Sequence, residues 1–213
     1  MTTSALTVDN ASLLAEFTGG STTDVSMMIG IGLVKDSDAV FFQYMGDEQS
    51  PVALMLPSSG KPLTRLSNVC LAGIDIAEDV GEFKSTKLNL FLESTQGRTV
   101  MLTSGLNTIW SQCLITALMG MFNSNDLANS FTLDTWKGTS KMRPCFAAIR
   151  LGTEKVSDQM LYDQLADARS ERDSIRVLQI MRDSVEILRH AVAGDAVLDV
   201  VVTEDASATQ EEF

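Results

Sequence analysis

The sequence predicts a mainly β protein in which a small five-stranded barrel is preceded by a β-hairpin and followed by a helix. Extended segments rich in β-branched, aromatic or alternating apolar residues recur between turn-forming residues up to position 151. One segment in the middle has helical spacing of its apolar residues, and helical spacing returns after position 157. These observations favour a β barrel with one internal helix.

Residues 1–65 are predicted to form an apolar hairpin extension. The apolar runs 27–35 and 39–45 are separated by Asp36-Ser37-Asp38. Short polar residues between β-branched and aromatic stretches predict a hairpin. Residues 52–56 are a candidate third strand. The extension is expected to provide contacts between copies of the chain.

Residues 66–152 are predicted to form the barrel, with the element order β-β-β-α-β-β. The helix is expected over residues 107–122, with Asn107 or Thr108 as its N-cap. In the second strand, three leucines alternate with polar or aromatic residues and are expected to face the interior. The five strands are expected at 71–80, 87–93, 98–103, 130–136 and 143–151.

Two further segments follow the barrel. Residues 153–194 are predicted to be helical, with an apolar stripe and a stop at Gly194. Residues 195–213 contain six acidic residues and no basic residue, which predicts a disordered acidic tail. The stripe consists of Leu178, Met181, Val185, Leu188 and Val192.

The charge is distributed unevenly along the 213 residues, whose net charge is −12. Residues 1–60 carry one basic and seven acidic side chains, whereas residues 61–150 carry nine basic and seven acidic ones. The excess negative charge therefore lies at the two ends. The predicted barrel can approach a polyanion without net repulsion.

Several classes of protein are disfavoured by the sequence. No apolar run is long enough to span a membrane, and the N-terminus does not resemble a signal peptide. Cys70, Cys113 and Cys145 are an odd number at wide spacing, which favours free thiols in a reducing compartment. We therefore expect a cytoplasmic protein without a membrane partner.

Catalytic and metal sites are also not predicted. His190 is the only histidine, and its position near the end of a helix favours a solvated residue. One histidine without paired cysteines does not make a zinc site, and Ser58–Lys61 lacks the spacing of a phosphate-binding loop. We expect a protein that is not an enzyme, with no cofactor and no metal.

Cations and aromatic residues in the predicted barrel form a candidate nucleic-acid-binding groove. In the second strand, Lys87 and Phe91 are expected to face solvent, unless a dimer interface or the C-terminal helix covers the ring. The hairpin 136–143 combines a tryptophan with three cations, although this tryptophan could instead pack on the barrel beside a solvated turn. The predicted nucleic-acid-binding residues are Lys84, Lys87, Phe91, Arg98, Trp136, Lys137, Lys141 and Arg143.

The element order of residues 66–151 resembles that of OB-fold single-stranded DNA-binding proteins. The acidic C-terminus, which ends in Glu211-Glu212-Phe213, resembles the tails of the bacterial and phage members of this group. The resemblance implies binding of single-stranded DNA, or RNA, without sequence preference. It also implies that the tail recruits replication or recombination proteins. The long N-terminal extension and the helical segment before the tail favour a phage or plasmid version.

Two other functions are compatible with the sequence. The apolar hairpin and the eleven methionines favour a self-assembling structural protein whose surfaces pack against further copies, and a homo-oligomer is expected in either case. An acidic inhibitor of a nucleic-acid enzyme is the third hypothesis. It requires a negative folded surface, and the charge balance of residues 61–150 argues against it.

Overall fold

A computed structural model of the chain describes residues 27–35, 37–45, 50–140 and 142–194. Within these residues the protein is mainly β, as predicted, with three helices. The strands are β1 (Met27–Ile31), β2 (Phe41–Met45), β3 (Ser50–Ala53), β4 (Arg65–Val80), β5 (Ser85–Ser94), β6 (Thr99–Gly105), β7 (Phe131–Lys137), β8 (Cys145–Leu151) and β9 (Glu154–Val156). The helices are α1 (Ile109–Asn123), α2 (Gln159–Ser170) and α3 (Ser174–Ala193).

All nine strands belong to one open, mixed sheet in the order β3-β2-β1-β6-β5-β4-β7-β8-β9. Neighbouring strands are antiparallel except β1 and β6, which pair in parallel from Met27 opposite Val100 to Gly30 opposite Thr103. The predicted N-terminal hairpin is confirmed as β1 and β2, and β3 is the third strand. These three strands extend the sheet formed by the rest of the chain.

The predicted closed five-stranded barrel is not confirmed. Its five strands correspond to β4–β8, which lie in the order β6-β5-β4-β7-β8, so closure would require β6 to pair with β8. Instead, the edge of β6 pairs with β1. Helix α1 packs against β8, where Ala147 and Ala148 point to opposite faces and are each 3% exposed.

Strand β4 is long and irregular, and it joins the two halves of the sheet. Its early part pairs with β7 and its later part with β5. Between them the register shifts from Leu66 to Val69, and Asn68 adopts a positive φ of 55°. An extra residue of this kind is a β-bulge, which bends the strand and increases its twist.

The sheet is strongly curved, because loops from distant strands meet. In a flat sheet β1 and β7 would be four strand spacings apart, ~19 Å. However, Lys137 in β7 donates a hydrogen bond to the carbonyl of Ser37 in the β1–β2 loop. Arg143, before β8, pairs with Asp38 of the same loop at 3.0 Å. The loop and the β7–β8 hairpin therefore approach each other around the molecule.

The inner face of the sheet carries the hydrophobic core, which α1 and α3 complete. Leu88, Leu90 and Leu92 are all buried, which confirms the predicted alternation of β5. Trp110 of α1 is 2% exposed and packs in the same core. The helix begins at an N-cap formed by Thr108, whose side-chain oxygen accepts a hydrogen bond from the backbone of the first turn.

The outer face has rings that pack against glycines of the neighbouring strands. A Cβ on Gly30 would lie 2.4 Å from two ring carbons of Phe42, and one on Gly73 would lie 3.2 Å from Cδ2 of Phe91. Phe42 is consequently only 8% exposed although it points away from the core. At Gly30 a larger residue would require the Phe42 ring to move, whereas at Gly73 a shift of a few tenths of an ångström by Phe91 would make room.

The C-terminal segment forms two helices rather than one. A turn at residues 171–173 separates α2 from α3, and Gly194 ends α3 in the left-handed conformation with φ of 73°, as predicted. Strand β9 was not predicted. None of the helices described is long and apolar enough to cross a membrane. The predicted tail, 195–213, lies outside the described residues, and the proposed domain boundaries remain a prediction.

Candidate nucleic-acid interface

Trp136 and Phe146 form a stacked aromatic pair near the β7–β8 hairpin. They face each other in the strand register, their ring centroids are 5.8 Å apart, and their planes differ by 17°. A Cβ on Gly138 would lie 2.9 Å from Cε2 of Phe146, so the hairpin closes tightly over that ring. Trp136 remains 42% exposed. The indole is thus supported by Phe146 and still accessible.

Two arginines lie on the same sheet face as Trp136. Asp134, two residues earlier in β7, accepts hydrogen bonds from Nε of Arg65 at 2.6 Å and from Nε of Arg150 at 2.8 Å. Burial alone would raise the pKa of Asp134, but the hydrogen bonds and charges of both arginines hold it below its ordinary value. Lys155 lies opposite Arg150 in the register. Asp134 thus contacts two cations, and a third cation, Lys155, lies one strand further along the same face.

The predicted cations of the β7–β8 hairpin are partly engaged. Lys137 donates to the Ser37 carbonyl, and Arg143 pairs with Asp38 across the surface, with both side chains of this pair more than half exposed. Lys141, the third predicted cation of the hairpin, lies outside the described residues. The β1–β2 loop therefore limits how freely the hairpin offers positive charge.

The other predicted residues lie elsewhere on the sheet. Phe91 and Lys87 are half-buried on the outer face of β5, and Lys84 is exposed in the β4–β5 turn. Phe91 is opposite Gly73 of β4. Asp134, which lies on the same face as Trp136, is opposite Arg65 of the same strand. Arg65 and Gly73 are eight positions apart in β4, which corresponds to at most ~26 Å along the strand. The structure forms two separate clusters where a single groove was predicted.

Arg98 was predicted to continue the basic path, and the structure contradicts this. Arg98 is only 4% exposed and lies in the tight turn between β5 and β6. The backbone of this turn closes through hydrogen bonds between Ser94 and Arg98, including Ser94 N to Arg98 O at 2.8 Å. The turn places the side chain against the protein, so it is not part of a solvent-facing groove.

Arg65, Phe146 and Arg150 were missed as site residues. Phe146 and Arg150 occur at alternating positions of a predicted strand, and Asp134 and Trp136 alternate in the strand before it. Pairing these two strands across the intervening turn would have placed all four on one face. Arg65 gave no such signal, because the first predicted strand began six residues later.

Other chemistry is not evident among the described residues. They contain no cluster of three or more histidine, cysteine or acidic side chains arranged for a metal ion. Burial raises the pKa of the Cys113 and Cys145 thiols, which keeps both protonated at neutral pH. Comparisons with protein-family models, curated proteins and solved structures give no match, so the site is defined by the geometry of this chain.

Proposed function

We propose that the protein binds single-stranded nucleic acid, with DNA as the expected strand, on the surface formed by β7, β8 and the start of β4. The observation that carries this proposal is the Trp136 indole, which is 42% exposed, stacked on Phe146, and next to Arg65 and Arg150. Every base has a face that can stack on an aromatic ring, so such a surface binds without sequence preference.

The local charge supports the same proposal despite the net charge of −12. Arg65, Arg150 and Lys155 lie on one face by the strand register, and Asp134 is the carboxylate that both arginines contact. Cations next to phosphates release bound counterions, which makes binding weaken as salt increases. The acidic ends of the chain lie outside the described residues.

The test is fluorescence anisotropy of a labelled oligothymidylate across a series of salt concentrations. If three cations contact phosphates, the logarithm of the binding constant should fall with the logarithm of salt with a slope of about −2. A chain that ends at residue 194 serves as the comparison, because it lacks the acidic tail. Absence of binding at low salt by both proteins would refute the proposal.

Kinship with OB-type single-strand binders is part of this proposal, supported by the element order β-β-β-α-β-β of residues 65–151. The proposal also includes a cytoplasmic location and the recruitment of replication or recombination proteins through Glu211, Glu212 and Phe213. These three residues lie outside the described part of the chain. Deleting Phe213 should leave strand affinity unchanged while abolishing capture of a partner. Loss of strand affinity would contradict this division of roles.

Self-association is a second candidate function, favoured by apolar side chains on the outer face of the first strands. Met28 and Tyr44 are 48% and 52% exposed, and Tyr44 meets Phe42 edge to face at 5.2 Å. Such a patch is costly unless another surface covers it. Light scattering after gel filtration should show an oligomer that Met28→Glu dissociates. A monomeric wild-type protein would exclude this candidate.

A further inference from the structure

Arg65 and Arg150 cover a shared carboxylate on the outer face of the sheet. Each donates from Nε to a different oxygen of Asp134, at 2.6 Å and 2.8 Å. The side chain of Asp134 is 14% exposed, compared with 58% for Arg65 and 41% for Arg150. The carboxylate is therefore beneath the two guanidinium groups, which form the solvent-facing layer.

Most of the hydrogen-bond donors of the two guanidinium groups remain available. An arginine has five N–H donors, and Nε supplies only one. Among the described residues, Arg65 donates only to Asp134, and Arg150 donates additionally from Nη1 to the Thr153 carbonyl at 3.4 Å. The terminal nitrogens of both groups can thus bind an oxyanion without giving up the bonds to Asp134.

We propose that Arg65 and Arg150 form a phosphate-binding site and that Asp134 is the positioning residue that holds both guanidinium groups. The inference rests on the proposed function, since the phosphate is that of a bound single strand. Arginine suits this role because its planar fork matches the oxygens of a phosphate. A side chain held in place before binding also loses less conformational entropy on binding.

The position of the site relative to Trp136 fits a nucleotide. Asp134 and Trp136 are two residues apart on the same face of β7, so the carboxylate and the indole are anchored ~7 Å apart. A phosphate on the arginines then places its own base within reach of the indole. Phe146, which supports the indole, and Arg150 lie on the same face of the paired strand β8.

Replacing Asp134 distinguishes positioning from simple electrostatics, because the two roles predict opposite changes in strand affinity. A carboxylate close to a phosphate repels it, so removing the charge should strengthen strand binding if charge alone matters. If Asp134 positions the arginines, its removal should weaken binding instead. Asp183, an exposed carboxylate on α3 that accepts a hydrogen bond from Gln179, provides the matched control for the loss of one charge.

The experiment measures binding of the full chain to oligothymidylate and to an abasic sugar–phosphate chain of the same length. Asp134→Asn and Arg65→Lys should each weaken binding of both chains by about 3- to 10-fold. Asp183→Asn should leave binding unchanged or slightly tighter. Unchanged or tighter binding by Asp134→Asn overturns the inference. If Asp134→Asn fails to fold, Arg65→Lys still tests the inference. It keeps the positive charge and removes the planar guanidinium group that matches the phosphate oxygens.

A second measurement needs no variant. Inorganic phosphate is titrated into the ¹⁵N-labelled wild-type protein, and the Nε–H signals of its arginines are followed by NMR. The signals of Arg65 and Arg150 should shift, while Arg176, which pairs with Glu171 on the helical side of the protein, should not. Equal shifts for all three mean an adventitious ion only and would overturn the site.

The two proposals fail in distinguishable ways. If the wild-type protein binds neither chain at low salt, the proposed function is wrong. If oligothymidylate binds and depends on Trp136, but Asp134→Asn and Arg65→Lys leave both affinities unchanged, the function stands and the phosphate site is wrong.

Discussion

Replacement of Trp136 by alanine is the most direct test of the proposed interface. The indole is 42% exposed, and Phe146 covers part of it, so a base can cover about half of the ring system. Stacking of a base on an aromatic side chain is worth about 1–3 kcal/mol by alanine substitution. With partial coverage we expect ~1–2 kcal/mol, which corresponds to ~5- to 30-fold weaker binding.

The assay is a fluorescence titration with oligothymidylate, which reports on stacking directly. The chain has two tryptophans, and Trp110 is only 2% exposed in the core. Quenching on strand binding should therefore come from Trp136 and disappear in Trp136→Ala, with anisotropy then used to measure the remaining affinity. Thermal unfolding of the variant checks that the loss of the Phe146 contact has not unfolded the protein.

A second exposed ring provides the control. Phe83 is 92% exposed and lies in the β4–β5 turn next to Lys84, outside the surface formed by Trp136, Arg65 and Arg150. Phe83→Ala removes an accessible aromatic side chain and should change strand affinity by less than about twofold, as expected for a surface position outside the site. The reasoning is refuted if Trp136→Ala also changes affinity by less than twofold, or if both variants weaken binding equally.

Two further predictions concern the β1–β2 region. Asp38→Asn should strengthen strand binding, because Arg143 becomes available to a phosphate. The slope of the logarithm of the binding constant against that of salt should become steeper by about 0.7. Unchanged affinity and slope would contradict this. The unfolding free energy should change by no more than ~1 kcal/mol, since the pair is exposed. Gly30→Ala should lower the unfolding free energy measured in urea by about 1–3 kcal/mol, because the new Cβ would meet Phe42. Gly32→Ala is the control: its Cβ would lie 3.4 Å from the same ring, and an equal loss would refute the steric explanation.

Local features of the fold could be predicted because their causes lie within a few residues. The alternation of β5 places Leu88, Leu90 and Leu92 in the core, as its period of two requires. Thr108 caps α1, and Gly194 ends α3, through hydrogen bonds to backbone groups within the same turn. In each case the residue type satisfies a requirement of its own segment, independent of the rest of the chain.

The candidate site could be predicted only in part, since it depends on which strands pair and in what register. Trp136 was identified correctly as an accessible ring, but its predicted partner Phe91 lies at a different part of β4. The bulge at Asn68 and the length of β4 determine this separation, and neither follows from hydrophobic alternation. Arg65 joins the site only because β4 begins earlier than its apolar pattern indicates.

The sheet stays open for a physical reason that cannot be inferred from the composition. For the barrel to close, β8 would have to offer a free edge to β6, but part of that edge pairs with β9, and α1 also packs against β8. The small side chains of Ala147 and Ala148 allow this close approach, and Gly120 of α1 does the same toward the start of α2, where a Cβ would lie 2.8 Å from the Ser157 carbonyl carbon. With that edge covered, the edge of β6 pairs with the N-terminal strand β1. The choice of partner for β6 thus depends on how β9 and α1 pack around β8, which a strand-by-strand interpretation of the sequence does not combine.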